Sequence, residues 1–225
     1  GYLDSDFNSY IEKNKSIFYK IVRSETNIGL AAILNLIINN LENEDYLFRM
    51  DSDDICFDNR TILQLEYMQK HPECIALGTA MDEIDELGQV IGHKKAIKNK
   101  NISKIALYRN PFNHPTMALR GDFFKIVGSY DEKLRKSQDY ELWLRALKMG
   151  LKLNNLQQSL LYFRVSKNFY NKRNSLQNSI NEFLISFRYL ITSKKFIYVP
   201  VILLKFLIRL MPNFVSKKIY KILRK

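Results

Sequence analysis

Leu47-Phe48-Arg49-Met50-Asp51-Ser52-Asp53-Asp54 is a short apolar segment that runs straight into three carboxylates. Like charges crowded into one turn repel, so a chain that keeps them together calls for a cation. Hard divalent ions with oxygen ligands, Mg²⁺ or Mn²⁺, suit such a site. The segment 46–50 reads as a buried strand that ends at the acids. An acidic turn in that position points to metal-assisted chemistry on a phosphate.

The flanking sequence supplies the frame. The stretch 17–22 predicts a strand. The stretch 27–41 predicts a helix, because Leu30, Ile33, Leu34, Ile37, Ile38 and Leu41 recur at helical spacing. Beyond the acidic turn, Asp58 is placed to cap a helix that runs to Lys70 and stops at His71-Pro72, and 74–81 predicts a further strand. Alternating strands and helices argue for an α/β sheet, where ligands sit beyond the carboxyl ends of strands, and the acidic turn falls there. Further on, 82–88 reads as a polar turn, 101–108 as a short helix and 116–119 as a strand. The strand follows the loop Asn110-Pro111-Phe112-Asn113-His114-Pro115, shaped by two prolines. A helix over 137–149, stopped by Gly150, carries Tyr140, Leu142, Trp143, Leu144, Ala146 and Leu147 as its packing face and a fourth carboxylate, Asp139, in its first turn.

Composition narrows the function. A chain of 225 residues with 46% hydrophobic content can bury a core. Its net charge of +12 is unevenly divided. Residues 1–141 carry 18 Lys+Arg against 22 Asp+Glu, net −4, while 142–225 carry 17 Lys+Arg and one acid, Glu182. The basicity belongs to the C-terminal third, which favours a local anionic surface over a nucleic-acid groove. Two cysteines, Cys56 and Cys74, without CxxC or a His/Cys cluster at zinc spacing, read as reduced thiols. The apolar stretch 196–211 is interrupted by Pro200, Lys205 and Arg209 and followed by Lys217, Lys218, Lys221, Arg224 and Lys225. It reads as an interfacial helix on an anionic leaflet and not as a membrane span, the alternative being a basic helix packed on the catalytic domain or a partner.

Several motifs now stand in order: Asn27-Ile28-Gly29-Leu30, Arg49-Met50-Asp51-Ser52-Asp53-Asp54, Asn113-His114-Pro115-Thr116, and Gln138-Asp139-Tyr140-Glu141-Leu142-Trp143. Together they resemble a family 2 glycosyltransferase over roughly residues 17–164. The resemblance implies a GT-A-type, Rossmann-like mixed sheet flanked by helices. It implies a catalytic domain over 1–170 and a helical, basic region over 171–225. It also implies a nucleotide-diphosphate sugar donor, a glycan or lipid-linked acceptor, a divalent metal (Mn²⁺ or Mg²⁺) and inversion at the anomeric carbon. Asp51 and Asp53 match the family's DxD as donor and metal ligands, and Asp139 matches its base; Gln138 stands where the family often has Glu. His114 lies in a loop expected near the substrates, either donating to a phosphate or acceptor or supporting the loop. Arg164 and Arg173 flank a segment where related enzymes cover the donor diphosphate. Asn27 and Gly29 read as helix-start residues, and Trp143 and Tyr140 as core.

Other readings of the turn fail on the residues. An EF-hand needs Gly and Glu where this chain has Cys56 and Ile62. A haloacid-dehalogenase-type phosphatase explains none of the downstream motifs. The family's opening strand-and-turn of the type VSVIIPxYN is not found in this sequence. The first nucleotide-binding strands are therefore expected to lie outside it, leaving an open sheet edge. Two expectations follow: a partial copy of a glycosyltransferase at the inner face of a plasma membrane, within a cell-surface polysaccharide pathway, or an inactive, membrane-held binding remnant.

Overall fold

The computed structural model describes residues 5–166 and 176–210. Helix α1 (Ser5–Lys13) leads to α2 (Leu30–Ile38), β1 (Tyr46–Phe48), β2 (Ile55–Cys56), α3 (Arg60–Lys70) and β3 (Cys74–Ile84). Then come β4 (Val90–Lys94), α4 (Ile102–Ile105), a 3₁₀ turn His114–Thr116, β5 (Ala118–Arg120), α5 (Phe123–Val127), α6 (Gln138–Lys148) and β6 (Lys152–Arg164). Helices α7 (Leu176–Thr192) and α8 (Val199–Leu210) follow.

The strands form one mixed sheet in the order β1-β5-β3-β6-β2, with β4 also paired to β3. Among the described residues only β3 and β6 pair in parallel; the other pairs are antiparallel. Strand β3 is central. Its residues 74–81 are all buried, as a strand covered on both faces must be. On one face α2, α5 and α6 pack a core around the fully buried Trp143, whose ring meets Phe112 at 5.6 Å and Phe123 at 5.8 Å. On the other, α3 seats Met68 against Cys74, Leu77 and Ala118. Helices α7 and α8 share a further cluster with α6, in which Ile185, Tyr189, Leu190 and Ile202 meet Tyr140 and Leu144. The C-terminal helical pair is thus packed on the α/β part, with the Tyr140 hydroxyl 3.0 Å from Ser186 Oγ of α7. Among the described residues no helix is long and apolar enough to cross a membrane.

Several expectations need correction. Residues 17–22 form no strand: Ile17 ends a 3₁₀ turn, and 18–22 have no ladder partner and are exposed or half-buried, with Tyr19 81% accessible. Helix α2 turns Ala31, Leu34, Asn35 and Ile38 inward, whereas Leu30 and Ile37 face out. An almost wholly apolar helix has no polar face to set its rotation, and the buried Asn35 sets it. Its Nδ2 donates to Tyr130 O at 2.9 Å and its Oδ1 accepts from Tyr130 N–H at 3.0 Å. Helix α3 begins after Asn59, with no side-chain cap, so Asp58 does not serve as one. Pro200 does not break the last helix. It stands in the first turn of α8, where a missing N–H costs no helical bond.

Candidate functional site

Strand β1 delivers the acidic turn. Its edge is held by β5 through Leu47 opposite Leu119, and Arg49 N–H extends the pairing to Met117 O at 2.9 Å. The turn closes by Asp54 N–H to Asp51 O at 3.3 Å, and β2 then pairs with β6 through Ile55 and Tyr162. Both ends are therefore anchored to the sheet.

Within the turn the three carboxylates have different surroundings. Asp51 Oδ1 accepts from Arg49, with Nη1 at 2.9 Å and Nη2 at 2.8 Å; the arginine side chain is only 12% exposed. Asp53 is exposed, and its main-chain oxygen accepts from Arg164 Nε at 3.0 Å. Asp54 is buried. Its Oδ1 accepts the Arg164 main-chain N–H at 3.0 Å, and its Oδ2 has no partner among the described residues. Burial pushes the Asp54 carboxyl up to about 6, against the Arg164 N–H, which lowers it. Arg164 Nη1 also donates to Asp85 O and Glu86 O, so this side chain ties the turn to the β3–β4 hairpin. Arg173 lies outside the described residues.

Arg49 continues into a chain of contacts. Its Nε donates to His114 Nε2 at 3.0 Å, which makes that nitrogen an acceptor and leaves the ring proton on Nδ1. The Tyr130 hydroxyl lies 2.8 Å from the same Nε2 and shares that nitrogen's single lone pair with Arg49. Burial, then the charge of Arg49, holds His114 well below the ordinary histidine range, so the ring is neutral. A neutral imidazole accepting on Nε2 orients the Arg49 guanidinium, and any donation must come from Nδ1. Beneath the turn, the fully buried Arg60 donates from Nη2 to Arg49 O at 2.7 Å and from Nε to Gln64 Oε1 at 3.0 Å. Gln64 in turn reaches Leu77 O and Thr116 O, both at 2.9 Å.

Asp139 enters from the other side. Ser137 adopts the left-handed conformation (φ 62°) to start α6, and Asp139 follows in the first turn. Asn110 Nδ2 donates to Asp139 Oδ2 at 2.6 Å, a short charge-assisted bond that fixes the carboxylate. Burial raises the Tyr130 hydroxyl far above its usual range. Arg49 pulls it down, and Asp139 and Asp51 push it up. The loop 110–114 carries both Asn110, bonded to Asp139, and His114, bonded to the Arg49 that holds Asp51, so the acidic turn and Asp139 are tied to one loop. Sequence reasoning missed Arg49, Arg60, Asn110 and Tyr130 as partners here; Arg49 and Asn110 stood inside quoted motifs, but nothing in the sequence pairs them.

Among the described residues no three His, Cys, Asp or Glu side chains come together. Asp51 and Asp53 still fit Mg²⁺ or Mn²⁺, which bind through one or two carboxylates with substrate phosphates completing the sphere.

Residues 7–128 match the family described as Glycosyl transferase family 2. The chain is 37% identical over 153 residues to the amylovoran biosynthesis glycosyltransferase AmsE of Erwinia amylovora, covering 68% of this chain and 57% of that protein. It is 31% identical over 227 residues to the UDP-Gal:alpha-D-GlcNAc-diphosphoundecaprenol beta-1,3-galactosyltransferase of Escherichia coli, covering 98% and 81%. Among solved structures it is similar to S. aureus TarS 1-349 in complex with UDP-GlcNAc, with a TM-score of 0.56, 17% identity and coverage of 80% and 54%. It is also similar to a Pyrobaculum calidifontis mannosyltransferase in complex with GDP-Man and Mn²⁺, with a TM-score of 0.54, 10% identity and coverage of 96% and 65%. The chain spans just over half the length of AmsE and of that TarS structure. It has the GT-A fold and belongs to glycosyl transferase family 2.

One stability prediction arises from Asp54. Its carboxyl is raised in the folded state, to about 6 from 3.8, so the fold binds its proton more tightly than the unfolded chain does. Folding stability is then lost as pH rises from the unfolded value through the folded one, by at most about 3 kcal/mol. Asp54→Asn should remove that loss. In metal-free urea melts the variant should match the parent near pH 4 and exceed it at pH 7.5, whereas equal stability at both pH values would refute the assignment.

Proposed function

We propose that this chain transfers a sugar from a nucleotide-diphosphate donor to an acceptor hydroxyl, with inversion, in cell-surface polysaccharide assembly. The observation that supports it best is that the Asp51–Asp53 turn and Asp139 are tied to one loop, 110–114. In this reading Asp139 takes the acceptor proton while Asn110 holds its other oxygen, so the base keeps one orientation through the displacement. Asp53, with Asp51 beside it, holds the divalent ion that, when bound, offsets the charge building on the leaving diphosphate. Arg164 serves the donor by fixing the main chain of the turn. His114 serves it by orienting Arg49.

The acceptor is a glycan or a lipid-linked sugar; the named acceptor of the E. coli relative is diphosphoundecaprenol-linked. Helix α8 supports a peripheral seat on the cytoplasmic face of an anionic membrane. Val201, Leu203, Leu204 and Leu207 are exposed along it, Ile197 just before it is 82% accessible, and the region is strongly basic.

Donor turnover is the first test. With Mn²⁺ present, UDP- or GDP-sugars should release nucleoside diphosphate, and Asp53→Ala should lower that rate by roughly a hundredfold. Turnover that survives Asp53→Ala unchanged would overturn the metal assignment.

A further inference from the structure

We propose that Arg49 closes Asp51 to a free divalent ion, so that the ion loads together with a nucleoside diphosphate and not ahead of it. The inference rests on the metal and donor reading above and adds an order to it. Three carboxylates in one turn form, on paper, a strong cation trap. The structure dismantles that trap in two places. Asp54 is turned inward onto the Arg164 main-chain N–H, and it is buried. Asp51 Oδ1 is covered by both Nη atoms of Arg49, whose charge cancels that of the carboxylate and repels a second cation. What remains is Asp53, exposed and with no side-chain partner among the described residues.

Arg49 is not a mobile surface charge that an incoming ion could displace. Its Nε is engaged by His114, its main-chain oxygen is held by the buried Arg60, and its own N–H is bonded to Met117 O. Those contacts fix the guanidinium against Asp51. One open carboxylate beside a fixed cation is a poor site for a bare divalent ion, because such ions need several oxygen ligands. A diphosphate brings the missing oxygens and outweighs the arginine. Arg49 is thus a positioning residue that sets the order of loading.

Calorimetric titration of Mn²⁺, with free Mn²⁺ followed by its spin-resonance signal, tests this on the whole chain. The parent should bind Mn²⁺ weakly alone, and at least roughly tenfold more tightly with UDP or GDP present. Arg49→Met should bind Mn²⁺ alone roughly tenfold more tightly than the parent. Arg49→Gln, which can still donate to His114, should move the same way and serves if the methionine variant does not fold. Adding Asp51→Asn to either variant should cancel the gain, since Asp51 supplies it. The proposal falls if neither arginine variant gains affinity, if the gain survives Asp51→Asn, or if the parent binds Mn²⁺ equally well with and without diphosphate. Failure of both UDP and GDP to bind would count against the donor reading, and the nucleotide-free arms would still decide the role of Arg49.

Discussion

Asp139→Asn should lower the turnover number for sugar transfer by roughly 10²–10⁴-fold, the range a positioned general base contributes, while nucleoside diphosphate affinity stays close to that of the parent. The substitution is nearly isosteric, and the amide oxygen can still accept from Asn110 Nδ2, so the start of α6 keeps its geometry. What is lost is the ability to take a proton. Asn110→Ala tests the same assignment from the other side. It leaves the carboxylate in place but removes the 2.6 Å bond that orients it, so its defect should be smaller and fall on turnover more than on donor binding. Single-turnover transfer with saturating donor is the measurement. An Asp139→Asn enzyme within a few-fold of the parent would move the base elsewhere in the site.

The parts of this molecule that could be read from its sequence are those whose signals are local. The strand leading to Asp51 and Asp53 was readable because an apolar run meets an acidic turn, although it stops at Phe48, short of the expected 46–50, and is half-buried. Helix α6 was readable because Tyr140, Leu142, Trp143, Leu144 and Ala146 sit on one stripe, and all are buried. Asn27 and Gly29 shape the approach to α2 without a side-chain cap: Asn27 Oδ1 accepts the Gly29 N–H at 3.1 Å, and Gly29 takes φ 90° at the N-cap position.

Strand β6 escaped because Lys-Leu-Asn-Asn-Leu-Gln-Gln-Ser carries little β propensity and no clean alternation; its strand state comes from lying along β3, with the register slipping between Thr79 and Ala80. Strand β4 escaped because an exposed hairpin arm needs no apolar face. The site's electrostatics escaped for a related reason. His114 is 65 residues from Arg49, and Arg164 is 110 residues from Asp54. An acidic cluster that seemed to demand an external cation has Arg49, just after β1, and Arg164 of β6 bonded to it, and a third arginine, Arg60 of α3, holds the Arg49 main chain.

Gly121→Ala should be among the most damaging single substitutions for stability, costing about 3 kcal/mol or more, at the upper end of what overpacking costs. Gly121 follows β5 directly, and its N–H donates to Asp45 O at 2.9 Å. A Cβ there would lie 1.6 Å from Glu44 O. That atom is main chain, so relief requires moving residues 44–45, which feed into Tyr46 opposite Arg120. Either the β1–β5 ladder shifts or the pair opens, and β1 is the strand that carries Asp51 and Asp53 to the site. Gly88→Ala is the contrast. It has a left-handed φ of 84° and nothing within 4 Å of the added atom, so only conformational strain of about 1 kcal/mol applies. For a chain of this size the Gly121 variant should melt roughly 6–12 °C below the parent. Its folded fraction should also bind Mn²⁺ with diphosphate more weakly, because the acidic turn is displaced with its strand. A Gly121→Ala protein no less stable than Gly88→Ala would mean that the approach of residues 44–45 to β5 is slack, and that β1 is positioned by its side chains alone.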